Sequence, residues 1–129
     1  MLVSHIYETE PVDCAPGTPM YLNAVAEIRS KKEPLELLHA LQQIEQREGR
    51  PAIHERNTPR TLDLDLLYAG NTQLQNPQFT LPHPRLHLRR FVLAPLADIR
   101  PELILPGFQQ TVAQLLAGLP SKPGVKVVS

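Results

Sequence analysis

The chain has 129 residues with 13 basic and 13 acidic side chains, so its formal net charge at pH 7 is +0. This length suits one domain with a modest core, and the neutral balance argues against a nucleic-acid partner. No apolar run approaches the ~20 residues that cross a bilayer, so no membrane partner is expected. The single cysteine, Cys14, excludes an internal disulfide and favours the cytoplasm.

The first part of the chain predicts a β-hairpin followed by a helix. Residues 2–8 and 21–28 have the composition of strands, and a loop rich in proline and glycine separates them. Pro34 suits the first turn of a helix, and Gly49 suits its C-terminal end. Between them the apolar side chains recur at helical spacing.

The second part predicts one more strand and two helices. Residues 61–68 alternate leucine with aspartate before the turn at Gly70, and residues 74–81 suit a short β excursion. Residues 89–99 predict a helix, in which Pro95 should cause a kink or lie near an end. A short amphipathic helix should precede a flexible tail, residues 120–129. The order of elements indicates an α+β fold, a sheet covered by helices.

Two acidic side chains in the third strand are the strongest candidates for chemistry. Asp63 and Asp65 lie two residues apart, so on a strand both side chains face the same way, with Cα atoms ~6.5–7 Å apart. Two such carboxylates could hold one Mg²⁺ or bridge two metal ions. Arg60, just upstream, could meet phosphate oxygens. The alternative is a solvated strand face without chemistry.

Other polar and aromatic residues suit a charged ligand and a flat one. Gln42 and Glu45 share one side of the first helix, where they could order a nucleotide or remain ordinary surface groups. His83 with Arg85, Arg89 and Arg90 could neutralise phosphate charge, or form a solvated basic face. A heterocycle could be held by Asn23 and Phe91, although aromatic residues more often fill the core.

The chain resembles the 6-hydroxymethyl-7,8-dihydropterin pyrophosphokinase family. The central motif is PRTLDLDLL at residues 59–67, and further matching segments are IYETEP at 6–11, YLNA at 21–24, LPHPR at 81–85 and RRFVLAPL at 89–96. Gln42 to Glu45 and Gly49-Arg50 extend the match. The resemblance implies a pyrophosphokinase domain over residues 1–119. It also implies transfer of diphosphate from ATP to a pterin alcohol, with release of AMP, in folate biosynthesis.

The resemblance also assigns roles to individual residues. Asp63 and Asp65 would bind two Mg²⁺ ions with ATP, while Arg60 and Arg89 would stabilise phosphate charge. The nucleotide would lie near Thr80, His83, Gln42 and Glu45. The pterin would be held by Thr9, Pro11, Val12, Tyr21, Asn23 and Phe91. Positioning and charge neutralisation, rather than a nucleophilic side chain, would account for the catalysis.

The resemblance implies a ferredoxin-like sheet, and the chain departs from it in three places. Relatives can carry a stacking tryptophan where this chain has Asn57, and basic loop residues where it has Ala52 and Ile53. The family's first strand, with a Gly-Ser-Asn motif, and its first helix are expected to be absent here. A late start codon, a shortened paralogue or repair of the sheet edge by a second chain would each explain this. A sheet edge left unpaired by the absence of the first strand could support self-association.

Two other functions compete with the pyrophosphokinase. A catalytically impaired relative could bind nucleotide or pterin as an interaction module. The expected absence of the family's first strand motivates this alternative. A metal-dependent nuclease could be built on Asp63 and Asp65, but the neutral net charge argues against it. Zinc is not expected at His83 and His87, because no third ligand lies nearby in the sequence.

Overall fold

A computed structural model describes residues 1–9, 21–48, 63–77, 79–120 and 124–128. The elements, in chain order, are β1 (Leu2–Val3), β2 (Tyr7–Thr9), β3 (Tyr21–Asn23), β4 (Ala26–Glu27), α1 (Pro34–Arg47), β5 (Leu74–Gln75), β6 (Thr80–Leu81), α2 (Arg90–Ile99), α3 (Val112–Ala117) and β7 (Val125–Val127). A turn of 3-10 helix, Leu86–Leu88, precedes α2. The architecture is therefore mixed α and β with antiparallel pairing, as expected.

The described strands form three small antiparallel sheets. β1 pairs with β4, β5 pairs with β6, and the third sheet has the order β3-β2-β7. The predicted hairpin is thus present, but each of its strands is divided in two. Ser4 explains the division: its hydroxyl accepts a hydrogen bond from the backbone N–H of Val25 and donates one to the carbonyl of His5. A side chain thereby takes over part of the backbone pairing in the gap between the β1–β4 pair and the β2–β3 pair.

Residues 125–127 differ from the expected flexible tail, because they form β7. The strand pairs with β2 in the register Tyr7↔Val127 and Thr9↔Val125. The backbone N–H of Val128 continues the contact by donating to the carbonyl of Ile6. β-Branched valines in alternation with Lys126 suit an edge strand of this kind.

Helix α1 begins and ends close to the predicted positions. Pro34 occupies its first turn, and Glu33 forms a reciprocal capping box with Glu36. The helix ends at Arg47, while Gly49 lies outside the described residues. Its buried member is the acidic Glu45, whereas its leucines are partly buried or exposed. The helix therefore presents a half-covered apolar face.

The hydrophobic core lies in the second half of the chain. Its buried members, from the 3-10 turn to α3, are Leu86, Val92, Leu93, Leu96, Leu105 and Val112. Helix α2 continues through Pro95, which is itself buried. Thr111 caps α3, because its hydroxyl accepts from the backbone N–H of Gln114 at 3.1 Å. Within the described ranges, no helix combines the length and apolar character needed to span a bilayer.

An extended stretch of chain, residues 63–69, is here called the acidic segment. The strand predicted for residues 61–68 is not found in its described part, because residues 63–68 join no sheet. The segment contacts the core through Leu67 and Tyr68, which pack partly buried against it. Hydrogen bonds to α1 and to the turn before α2 also hold the segment.

Candidate active site

The acidic segment directs its two carboxylates outwards. Asp63 and Asp65 are exposed, while Leu64 and Leu66 between and beyond them are partly buried. This alternation places both aspartates on the same side of the segment. This exposure pattern agrees with the common direction predicted from the sequence, although the segment lies in no sheet.

Glu45 is attached directly to the backbone between these aspartates. Only 5% of Glu45 is exposed, and its Oε2 accepts a hydrogen bond of 2.6 Å from the backbone N–H of Leu64. Gln42, one turn earlier on α1, is exposed. Glu45 is thus bonded to the acidic segment and Gln42 is exposed, while the contact of both residues with a nucleotide stays a prediction.

The backbone of His83 is hydrogen-bonded to the same segment. Its backbone N–H donates to the carbonyl of Leu67 at 2.7 Å, and its Nδ1 accepts from the backbone N–H of Arg85 at 3.2 Å. Burial lowers the pKa of His83, Asp65 opposes this shift, and Arg89 and Arg85 add to it. Asp65, Arg89 and Arg85 therefore act electrostatically on one imidazole, which is largely neutral at pH 7.

Two arginines at the start of α2 have different surroundings. The guanidinium carbon of Arg89 lies 5.5 Å from the centre of the Phe91 ring, within the range of a cation–π contact. Arg90 instead donates from Nε and Nη2 to the carbonyls of Pro120 and Leu119, both at 3.0 Å. The idea that Arg90 neutralises phosphate is therefore replaced by a role in holding the chain after α3.

The residues expected to hold a pterin are only partly described. Asn23 donates from Nδ2 to the hydroxyl of Thr9 at 3.1 Å, across β2 and β3. These strands contact α2, the helix that carries Phe91. The side chain of Tyr21 lies outside the described part of the structure, as do Pro11 and Val12. Arg60, expected at the phosphates, also lies outside it.

An open cleft separates the acidic segment from β4 and α1. Its volume is about 720 Å³, and Asp65 is one of its lining residues. Leu37 and Leu41 of α1 line it together with Leu64 and Leu66. Thr80, which was expected near the nucleotide, is partly buried in β6, three residues before His83.

A polar bridge fixes the far end of the acidic segment, and local sequence patterns did not indicate it. The hydroxyl of Tyr68 donates to Glu27 at 2.7 Å, and Nε of Arg100 donates to the same carboxylate at 2.9 Å. The hydrogen bonds from Arg100 and Tyr68 lower the pKa of Glu27 to about 2. Burial and the contact with Glu27 raise the pKa of Tyr68. The three residues lie far apart in sequence, so only the folded chain reveals them.

The acidic pair fits one kind of metal site better than others. In the described ranges, no three histidine, cysteine, aspartate or glutamate side chains group as a metal-binding set. Mg²⁺ commonly takes one or two carboxylates and completes its shell with water and substrate phosphate oxygens. Asp63 and Asp65, exposed on one side of the segment, match that requirement, whereas zinc favours four protein ligands.

The fold and the site together define a small α+β protein whose paired carboxylates lie beside cationic residues. The model of the family "7,8-dihydro-6-hydroxymethylpterin-pyrophosphokinase" matches residues 1–101. The chain belongs to this family.

Curated bacterial relatives share the name 2-amino-4-hydroxy-6-hydroxymethyldihydropteridine pyrophosphokinase. The one from Synechocystis is 41% identical over 118 residues, which cover 87% of this chain and 60% of the relative. The one from Haemophilus influenzae is 43% identical over 106 residues, covering 82% of this chain and 65% of the relative. The one from Pseudomonas aeruginosa is 42% identical, covering 92% and 71%. The chain thus spans less than two thirds of the length of the first two.

Proposed function

We propose that this chain transfers diphosphate from ATP to the hydroxymethyl group of 6-hydroxymethyl-7,8-dihydropterin, a step of folate biosynthesis. The observation that carries the proposal is that the segment bearing the exposed Asp63 and Asp65 is hydrogen-bonded to Glu45 of α1 and to the backbone of His83. Family membership supports the same conclusion. So do the names of the relatives, which are pyrophosphokinases.

Asp63 and Asp65 would hold the Mg²⁺ that accompanies ATP. The family resemblance implies two such ions. Mg²⁺ bound there supplies neutralisation of the negative charge on the phosphate oxygens. The protein contributes two carboxylates on a fixed backbone. Both side chains are exposed, and Asp65 lines the cleft.

The cationic residues would neutralise further negative charge on the phosphates. Arg89 offers a planar guanidinium that can pair with two oxygens, and Arg60 would add a second. His83, held by Leu67 and largely neutral, donates or accepts a hydrogen bond without adding charge. By the family resemblance, Thr80 and Gln42 would contact the nucleotide.

The pterin would lie between the third sheet and the start of α2. Asn23 and Thr9 supply amide and hydroxyl groups for its ring edge, and Phe91 supplies a face for stacking. Tyr21, with Pro11 and Val12, would complete the pocket. Arg89 contacts Phe91, so the two binding regions meet at this pair of residues.

The reaction balances without an enzyme nucleophile. The pterin hydroxyl oxygen forms a bond to the β-phosphorus, and the bond between that phosphorus and the oxygen bridging to the α-phosphate breaks. AMP leaves with the bridging oxygen, and the hydroxyl proton passes to solvent. The side chains orient the two reactants and offset the negative charge, which accounts for most of the catalysis in phosphoryl transfer.

The test uses ATP labelled in its γ-phosphate. Incubation with the pterin alcohol and Mg²⁺ should place the label in a pterin diphosphate and form one AMP for each. Formation of ADP would contradict the proposal. Calorimetric binding of ATP without turnover would favour the alternative, a nucleotide-binding module.

The cytoplasmic location and the domain limits of residues 1–119 remain predictions.

A further inference from the structure

A buried carboxylate reaches the backbone of the candidate metal-binding residues. Glu45 is 5% exposed, although it lies on a helix whose other residues are partly buried or exposed. Its Oε2 accepts a 2.6 Å hydrogen bond from the N–H of Leu64. A short bond from an amide to a carboxylate belongs to the stronger class of hydrogen bonds. Glu45 is therefore committed to the acidic segment.

The position of this bond within the segment gives it its effect. The N–H of Leu64 belongs to the planar peptide unit that joins Asp63 to Leu64. Fixing that plane limits the directions in which the Asp63 and Asp65 side chains leave the backbone. In the described ranges the segment belongs to no sheet, so ladder hydrogen bonds do not provide this restraint.

A second hydrogen bond restrains the segment three residues further along the chain, at Leu67. The carbonyl of Leu67 accepts from the N–H of His83 at 2.7 Å. Leu64 and Leu67 are three residues apart, and their bonds lead to α1 and to the turn before α2. The aspartates are thus placed by the helix through Glu45 and by the turn through His83.

We propose that Glu45 is a positioning residue, which fixes the backbone between Asp63 and Asp65 so that both carboxylates meet the metal–nucleotide complex. It does so through Leu64, and it does not contact the nucleotide itself. Its consequence for catalysis rests on the proposed function, whereas its effect on the segment does not. Ligands of a metal commonly depend on such supporting contacts, whose loss weakens metal affinity 10–100-fold.

Two substitutions separate positioning from direct contact. Glu45→Gln keeps a carbonyl oxygen that can accept from Leu64, whereas Glu45→Ala removes the acceptor. Glu48→Ala is the matched control, because Glu48 is an exposed glutamate just beyond the same helix. Circular dichroism should first show that each variant retains its helix content.

The first measurement is amide hydrogen exchange at Leu64 by NMR, without ligand. We expect slow exchange in the unmodified chain, in Glu45→Gln and in Glu48→Ala, and exchange at least about tenfold faster in Glu45→Ala. Unchanged exchange at Leu64 in Glu45→Ala would overturn the proposal. If the alanine variant does not fold, rapid exchange in folded Glu45→Gln would overturn it as well.

The second measurement is binding of Mn²⁺ with a non-hydrolysable ATP analogue, followed by electron paramagnetic resonance. We expect about 10–100-fold weaker Mn²⁺ binding in Glu45→Ala, and a change within about threefold in Glu45→Gln. Equal loss in both variants, with Leu64 still protected in Glu45→Gln, would show direct contact and overturn the proposal.

The two measurements also separate this proposal from the proposed function. Neither requires turnover, so absence of AMP formation would count against the pyrophosphokinase and not against Glu45. If the unmodified chain bound no Mn²⁺–nucleotide, the claim that Glu45 serves a metal site would fail. The exchange rate at Leu64 would still decide whether Glu45 fixes the backbone.

Discussion

The guanidinium of Arg89 lies over the aromatic ring of Phe91, with its central carbon 5.5 Å from the ring centre. In the proposed function Arg89 meets phosphate and Phe91 stacks on the pterin. The contact therefore joins the two substrate regions through a cation–π interaction. It also fixes the orientation of a long side chain before any ligand arrives, which lowers the entropy lost on binding.

We expect Arg89 and Phe91 to be energetically coupled in catalysis. Arg89→Lys retains the charge but loses the flat guanidinium, and Phe91→Leu removes the aromatic face. A double-mutant cycle on kcat/KM should show a coupling of about 0.5–1 kcal/mol. The matched pair Arg85→Lys with Phe91→Leu should be nearly additive. Additivity in both cycles would show that the Arg89 contact has no catalytic consequence.

The bridge from Glu27 to Tyr68 and Arg100 should stabilise the fold in a pH-dependent way. The pKa of Glu27 is held at about 2, below its ordinary value of 4.5, first by the hydrogen bond from Arg100 and then by that from Tyr68. Its contribution is therefore complete above pH 4.5 and is lost as the pH falls towards 2. Because the carboxylate is partly solvent-exposed, Glu27→Gln should cost only about 1 kcal/mol at pH 7.

Urea unfolding of Glu27→Gln and of the unmodified chain at pH 7 and pH 3 measures this effect. The difference in the free energy of unfolding should shrink at pH 3. Glu102→Gln is the control, because Glu102 is exposed and lines a shallow groove together with Glu27. Its side chain has no hydrogen bond within the described part of the chain. A Glu27→Gln difference that is equal at the two pH values would contradict the assignment.

Tyr7 attaches β2 to the end of α2, and its removal should destabilise the protein. Its hydroxyl donates to Asp98, with distances of 2.8 and 2.9 Å to the two carboxylate oxygens. Tyr7→Phe should lower the free energy of unfolding by about 1.5 kcal/mol at pH 7, because a charge-assisted hydrogen bond is lost. Asp98→Asn should cost less, since its amide oxygen can still accept the bond.

The same hydroxyl should also make stability fall at alkaline pH. Burial, followed by the hydrogen bond to and the charge of Asp98, raises the pKa of Tyr7 from 10.0 to about 12. The contribution is complete below pH 10 and is lost as the pH rises towards 12. The stability difference between the unmodified chain and Tyr7→Phe should therefore decrease between pH 8 and pH 11. A constant difference would show that Tyr7 does not titrate in this way.

Local signals in the sequence predicted the helices better than the strands. Pro34 marks a helix start because a first-turn proline acts within a few residues, and helical spacing of apolar residues indicated α3. Each hairpin strand was instead predicted as continuous, and the interruption depends on the Ser4 hydroxyl reaching Val25. Residues 125–127 pair with a strand more than a hundred positions away, a contact that tail composition cannot indicate.

The sequence supplied the residue types proposed for the candidate site but not the contacts that support them. Alternation in the sequence predicted the common direction of Asp63 and Asp65, because that property depends only on a two-residue period. The burial of Glu45 and the bridge from Tyr68 to Glu27 depend on separations of 19 and 41 residues. A glutamate on a helix is usually exposed, so neither the residue type nor its position in the sequence indicated a structural role for Glu45. The ferredoxin-like topology and the expected absence of a first strand and helix remain predictions.

The central claim is that the carboxylates on the acidic segment bind metal with ATP for diphosphate transfer. The most direct test measures Mg²⁺-dependent AMP formation from ATP and the pterin alcohol by the unmodified chain, Asp65→Asn and the control Glu102→Gln. The account predicts at least about a hundredfold lower kcat/KM for Asp65→Asn, with retained folding, because a carboxylate ligand becomes a neutral amide. Glu102→Gln should match the unmodified chain. Full AMP formation by Asp65→Asn would contradict the account.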